Sequence, residues 1–138
     1  MQRHSLTLAS EQGSADKGSA WARELGGRLG LAEERIAALD MCITELVSNV
    51  VDHSYREQPG EIRLELDLGP PEAAILTVID EGPEFDPLSV PSPLVPRSLD
   101  EAQVGGLGIH LVRSYADACE YKRHDGRNVF TAFFGAQR

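Results

Sequence analysis

Apolar positions recur along this chain with two different periods, and the switches between them mark out its elements. His4 to Leu8 alternates polar and apolar residues and predicts a short strand at a sheet edge. From Ser14 to Arg28, Trp21 and Leu25 stand four apart on the inner side of a helix, which Gly26-Gly27 and Gly30 end. From Leu31 to about Tyr55, Ile36, Leu39, Ile43, Leu46, Val47 and Val50 recur at steps of three and four, one stripe of a central helix. Arg56 to Gly60 reads as a turn. Glu61 to Leu68 then alternates strictly, so Ile62, Leu64, Leu66 and Leu68 face a core. Ala73 to Ile79 is more continuously apolar, as a central strand would be. The two strands form an antiparallel hairpin through Gly69 to Glu72.

Prolines then end all regularity. Pro83, Pro87, Pro91, Pro93 and Pro96 leave no room for a helix or strand between Asp80 and Val104. A loop of that length in a small domain is usually functional, and it is read as a lid over about 84–104. Gly105-Gly106-Leu107-Gly108 leads into a helix from Ile109 to about Ala118. Cys119 to Arg123 and Asn128 to Phe134 make a last hairpin around Asp125-Gly126. This order predicts an α+β fold, a two-layer sandwich with helices on one face of a mostly antiparallel sheet. With 138 residues the expectation is one domain, 1–138.

Charge narrows the possible ligands. The net charge is −9, from 13 basic and 22 acidic residues. That argues against nucleic acid, whose affinity comes from basic groups on phosphates, and against an anionic membrane surface. A nucleotide could be held only by local positive features: a magnesium ion, a helix N-terminus and a few Arg residues. Cys42 and Cys119 have no zinc-type spacing and read as small buried hydrophobes in a reducing compartment. No signal peptide is visible and no apolar run spans a bilayer, so a cytoplasmic protein is expected.

Three stretches are candidates for chemistry. On the central helix Glu45, Asn49 and His53 form a row at steps of four, away from the apolar stripe. A solvated face is the ordinary reading of such a row. Asn, however, is a poor residue for a helix interior, and Met41 and Cys42 flank the row. A carboxylate one turn from a carboxamide suits a hard cation beside a hydroxyl to be deprotonated. Asp80-Glu81-Gly82 places a carboxylate at a strand end with a glycine that would clear space for a flat ring; a plain turn has the same composition. Gly105 to Gly108 opens a helix, where converging amides and the helix dipole suit phosphate, although a hinge would look alike.

Taken together and in this order, the three stretches resemble the GHKL ATP-binding superfamily. Glu-Leu-Val-x-Asn-x-x-x-His over Glu45 to His53, Asp-x-Gly-x-x-Phe-Asp-Pro over Asp80 to Pro87, and Gly-Gly-Leu-Gly-Ile-His-Leu-Val over Gly105 to Val112 resemble its anti-sigma-factor serine/threonine kinases. The resemblance implies a Bergerat-type fold and the cofactors ATP and Mg2+. It implies Asn49 as the magnesium ligand, Glu45 as general base on the acceptor hydroxyl, and Asp80 with Gly82 at the adenine. Gly105, Gly106, Leu107 and Gly108 would line the phosphates, and His53 would lie near them or serve in packing. Thr131 would join the adenine network through water, against its ordinary reading as a strand threonine. Glu84 stands where many superfamily members carry a second glycine.

The implied activity is phosphorylation of a serine or threonine on a STAS-type anti-anti-sigma protein, with a sigma factor held in the alternative complex. A homodimer is implied as well. No long helix carries an acceptor histidine, so a complete histidine kinase is not expected. The alternative is a non-catalytic, nucleotide-regulated binding module that sequesters its partner.

Overall fold

The computed structural model of the protein describes residues 2–54, 60–70, 72–89 and 106–135. In chain order it has strand β1 (Gln2–Ala9), helices α1 (Ser14–Leu29) and α2 (Glu33–Asn49), and strands β2 (Glu61–Gly69) and β3 (Ala73–Asp80). Helix α3 (Gly106–Tyr115) and strands β4 (Ala118–His124) and β5 (Arg127–Phe134) follow. The strands form one sheet in the order β1-β2-β3-β5-β4, and every pairing is antiparallel.

Side-chain parity decides which face of the sheet is covered. Ile62, Leu64 and Leu66 are fully buried, while Glu61 and Arg63 between them are exposed. The same parity turns Ala74, Leu76, Val78 and Asp80 of β3 inward, and with them Asn128, Phe130, Ala132 and Phe134 of β5. Leu39, Cys42, Ile43, Leu46 and Val47 of α2, with Ile109 and Val112 of α3, close on that face. Each buried Leu, Ile, Val or Phe among them contributes about 1.5–3 kcal/mol by leaving water. The result is the expected α+β two-layer fold. In the helix layer a methyl group on Gly18 of α1 would come within 2.9 Å of Ile43 Cγ2, so the two helices approach where one of them lacks a side chain.

Asp40 clasps the same two helices. It accepts hydrogen bonds from Ser19 Oγ and, at 2.5 Å, from Arg23 Nε. Burial pushes its carboxyl up, but the bonds from Ser19 and Arg23 and the Arg23 charge outweigh that and hold it below the usual carboxylate range. A lowered folded-state pKa gives stability that is complete above the unfolded value, about 3.9, and is lost as pH falls through the folded one. Asp40→Ala is therefore expected to lower unfolding free energy by about 1 kcal/mol at pH 7, since Arg23 is half exposed. Urea titrations at pH 7 and pH 3 should show the gap between variant and wild type closing in acid.

Several boundaries differ from the sequence expectation, and helix α3 ends at Tyr115 rather than Ala118. Helix α2 starts at Glu33 rather than Leu31, because Ala32 is extended with ψ 145°. It ends at Asn49, and Val50–Ser54 continue as a π-helical turn. That turn bonds i to i+5, so His53 leaves the row of Glu45 and Asn49. Residues 55–59 of the expected helix lie outside the described residues. Helix α3 begins at Gly106, three residues earlier than expected. A first turn needs no intrahelical N–H bonds, so glycines are tolerated there. Of the expected lid, residues 90–104 lie outside the described residues, while Pro87–Ser89 form a 3₁₀ turn.

Cys42 is buried, and burial, with nearby Cys119 and Glu45 adding to it, pushes its thiol up to about 12. That makes it an inert space-filler. Cys119 is half-buried against the same core, and both are free thiols. Among the described residues no helix is long and apolar enough to cross a membrane.

Candidate nucleotide-binding site

Helix α2 and strand β3 stop at the same end of the molecule where β5 begins, and a pocket lies between them. Leu46, Val50, Val78 and Phe130 give it apolar walls, and Asn49, Asp80, Tyr121 and Asn128 supply polar groups. Phe85 and Pro87 also line it. The pocket is partly open, and its volume for water is about 20 Å³, room for roughly one molecule.

Asp80 is 4% exposed. Its Oδ1 accepts from the backbone N–H of Gly82 at 2.9 Å and from Asn128 Nδ2 at 2.9 Å. Its Oδ2 has no hydrogen-bond partner among the described residues. Gly82 is buried directly beside it. Asn49, the last residue of α2, shares the pocket with Asp80, and its side chain hydrogen-bonds none of the described residues. Glu45 is half-buried one turn before it. His53 stacks on Phe85, ring centroids 5.2 Å apart with an 18° interplanar angle. The structure thus places His53 in packing at the pocket rim. Helix α3 is tied to the same region, because Arg113 donates to the carbonyl of Leu88 at 3.3 Å. Gly106, Leu107 and Gly108 form its first turn, and Gly105 lies outside the described residues.

Thr131 is a correction. It pairs in register with Thr77, while Asp80 pairs with Asn128. Inward positions on β5 are even-numbered, so Thr131 turns to the opposite face of the sheet from the pocket. The residue that meets Asp80 is Asn128. A signal for it existed: an asparagine in step with Phe130, Ala132 and Phe134 occupies an inward position and needs a polar partner.

Tyr121 and Arg123 were also missed. Tyr121 donates its hydroxyl to Asn128 Oδ1 at 2.5 Å, and Arg123 reaches Gly82 O at 2.7 Å. Burial, with the charge of nearby Glu84 next, raises the Tyr121 pKa, so its phenol stays a donor at neutral pH. Glu84 itself is exposed at the rim.

The family described as the histidine kinase-like ATPase domain matches residues 8–134. This chain belongs to that family. Among curated relatives of this ATPase domain, the serine/threonine-protein kinase BtrW of Bordetella bronchiseptica is 38% identical over 94 residues. That match spans 67% of this chain and 66% of BtrW. The serine-protein kinase RsbW of Bacillus subtilis (strain 168) is 27% identical over 120 residues, 83% of this chain and 74% of that protein. Among solved structures, the RsbU and RsbW domains of Rv1364c from Mycobacterium tuberculosis superpose with a TM-score of 0.69 at 19% identity. They cover 97% of this chain and 32% of theirs, a likeness of fold.

The family uses ATP, and the donor set can be tested for a metal. Among the described residues no group of three or more His, Cys, Asp or Glu could hold an ion alone. Mg2+ that arrives on phosphates needs only one or two protein oxygens. Asn49 offers one at the pocket wall, so the residues fit an ion carried by its nucleotide.

Proposed function

We propose that this ATPase domain is a serine/threonine protein kinase of the anti-sigma-factor type, a single domain over residues 1–138. The observation that carries the reading is the meeting of Asp80 and Asn49 in one pocket, in a chain whose curated relatives BtrW and RsbW are named protein kinases. Asp80 accepts from the 6-amino group of adenine, with Gly82 clearing the ring. Asn49 would hold Mg2+ through its side-chain oxygen, and the ion would supply positive charge against the phosphates. The first turn of α3, with Gly105 ahead of Gly106, Leu107 and Gly108, presents backbone amides to the phosphates. Glu45 takes the proton of the acceptor hydroxyl as its oxygen attacks the γ-phosphorus and ADP leaves.

The substrate in this reading is a STAS-type anti-anti-sigma protein, and a sigma factor is held in the competing complex. The protein acts in the cytoplasm as a homodimer. The deciding experiment mixes it with ATP, Mg2+ and STAS-type proteins from its own cell and reads phosphate addition by mass spectrometry. Transfer to a serine or threonine supports the kinase. Binding without transfer to any of them would leave a nucleotide-regulated sequestering module instead.

The adenine assignment has its own check. Loss of a buried, charge-assisted hydrogen bond costs about 1.5–3 kcal/mol, so Asp80→Ala should weaken ATP binding roughly tenfold or more. Circular dichroism should remain that of wild type. Calorimetry with ATP and GTP on the wild type should favour ATP, because an acceptor-only oxygen repels the guanine carbonyl; equal affinities would remove Asp80 from the base.

A further inference from the structure

Asn128 is 4% exposed, and it sits opposite Asp80 in the β3 register and opposite Arg123 in the β4 register. Both ends of its amide are occupied. Its Oδ1 accepts from Tyr121 Oη at 2.5 Å, from the Phe85 N–H at 3.2 Å and from Arg123 at 3.3 Å. Its Nδ2 donates to Asp80 Oδ1 at 2.9 Å and to the Pro83 carbonyl at 2.8 Å. The chemistry of the partners fixes the orientation. A peptide N–H and a guanidinium can only donate, so the oxygen must face them; a carboxylate and a peptide carbonyl only accept, so the nitrogen must face them. A flipped amide would set donor against donor and acceptor against acceptor.

Two consequences follow for the nucleotide. Asn128 has no hydrogen left over, so it does not itself read a base. It instead occupies Asp80 Oδ1 together with the Gly82 N–H, which leaves Oδ2 as a single acceptor of fixed direction. We propose that Tyr121 and Asn128, backed by Arg123, are positioning residues that make Asp80 selective for a purine bearing a 6-amino group. The proposal rests on the adenine reading of Asp80 given above. Tyr121 gives its hydroxyl proton to Asn128 Oδ1 and so acts on Asp80 through the amide.

The test compares two ligands that differ only in the group being read. Dissociation constants are measured by calorimetry for Mg·ATP and for Mg·purine riboside triphosphate, which lacks the 6-amino group, on wild type, Tyr121→Phe and Asn128→Asp. Wild type should favour ATP by about tenfold or more, the worth of one buried charge-assisted hydrogen bond. Tyr121→Phe removes one donor from the amide while the ring still fills its place. It should reduce that preference to roughly threefold, chiefly by weakening ATP. Asn128→Asp sets a second carboxylate against Asp80 and should bring the preference close to one.

If both variants weaken the two nucleotides by the same factor and keep the wild-type preference, their role is merely structural and the proposal is wrong. If wild type itself does not distinguish the two nucleotides, the adenine reading of Asp80 fails and takes the proposal with it. Should Asn128→Asp not fold, as judged by circular dichroism, Tyr121→Phe alone decides, because it leaves no buried polar atom of its own unpaired.

Discussion

Glu45→Ala is expected to bind Mg·ATP and its protein partner as wild type does, and to transfer phosphate slower by ~10²–10⁴-fold, the usual worth of general-base assistance. The separation of effects comes from placement. Glu45 is half-buried one helical turn before Asn49, and it is not among the residues that line the base pocket. The hydroxyl it would deprotonate is absent until the partner docks, so removing the carboxylate leaves nucleotide affinity alone. A solvated helix face predicts something quite different, since an exposed Glu→Ala change shifts stability by under ~0.5 kcal/mol and rates not at all. Single-turnover transfer from labelled ATP, with nucleotide and partner binding measured in parallel, separates the two. Transfer at the wild-type rate would remove Glu45 from the chemistry.

Asn49→Ala is expected to damage binding and transfer together. Asn49 reaches the pocket wall from the last residue of α2, beside Asp80. Loss of a direct metal ligand should weaken Mg·ATP by at least about 10–100-fold, because even groups that only orient ligands are worth that much. Metal-free ATP provides the control. If the loss is through magnesium, affinity measured in EDTA should differ little between wild type and variant, and the two curves should diverge as Mg2+ is added. An equal deficit with and without the metal would make Asn49 a packing residue. Glu45→Ala and Asn49→Ala therefore have opposite signatures, one lost only in transfer and the other already lost in binding.

The sheet was legible because alternation is a direct imprint of parity. Ile62, Leu64, Leu66 and Leu68 could be placed inward from sequence, and they are buried. Asp80 and Gly82 were legible as a carboxylate and a small residue at the end of an apolar strand. The π-helical turn over Val50–Ser54 was not, because a switch from i→i+4 to i→i+5 bonding leaves no mark in composition. His53 consequently left its expected row for a stack on Phe85. Thr131 entered only through the family resemblance, although two-residue parity alone puts it on the wrong face. Asn128, Tyr121 and Arg123 escaped notice because their roles are pairwise. Each is an ordinary strand residue until a register sets it beside another.

That register is held by two residues in a loop. Asp125 and Gly126 both have positive φ, 50° and 76°, the signature of the tight hairpin turn whose twist matches its strands. The turn aligns Arg123 with Asn128 and Tyr121 with Phe130. Surface turns ordinarily accept extra residues freely. This one is different: a single residue added there, if taken up by sliding β4 one step, would rotate Tyr121 and Arg123 to the far face while leaving the sheet's hydrogen bonds intact. Change in loop length at an exposed tip is thus a route by which descendants of this chain could lose or exchange their choice of nucleotide without any substitution in the pocket itself.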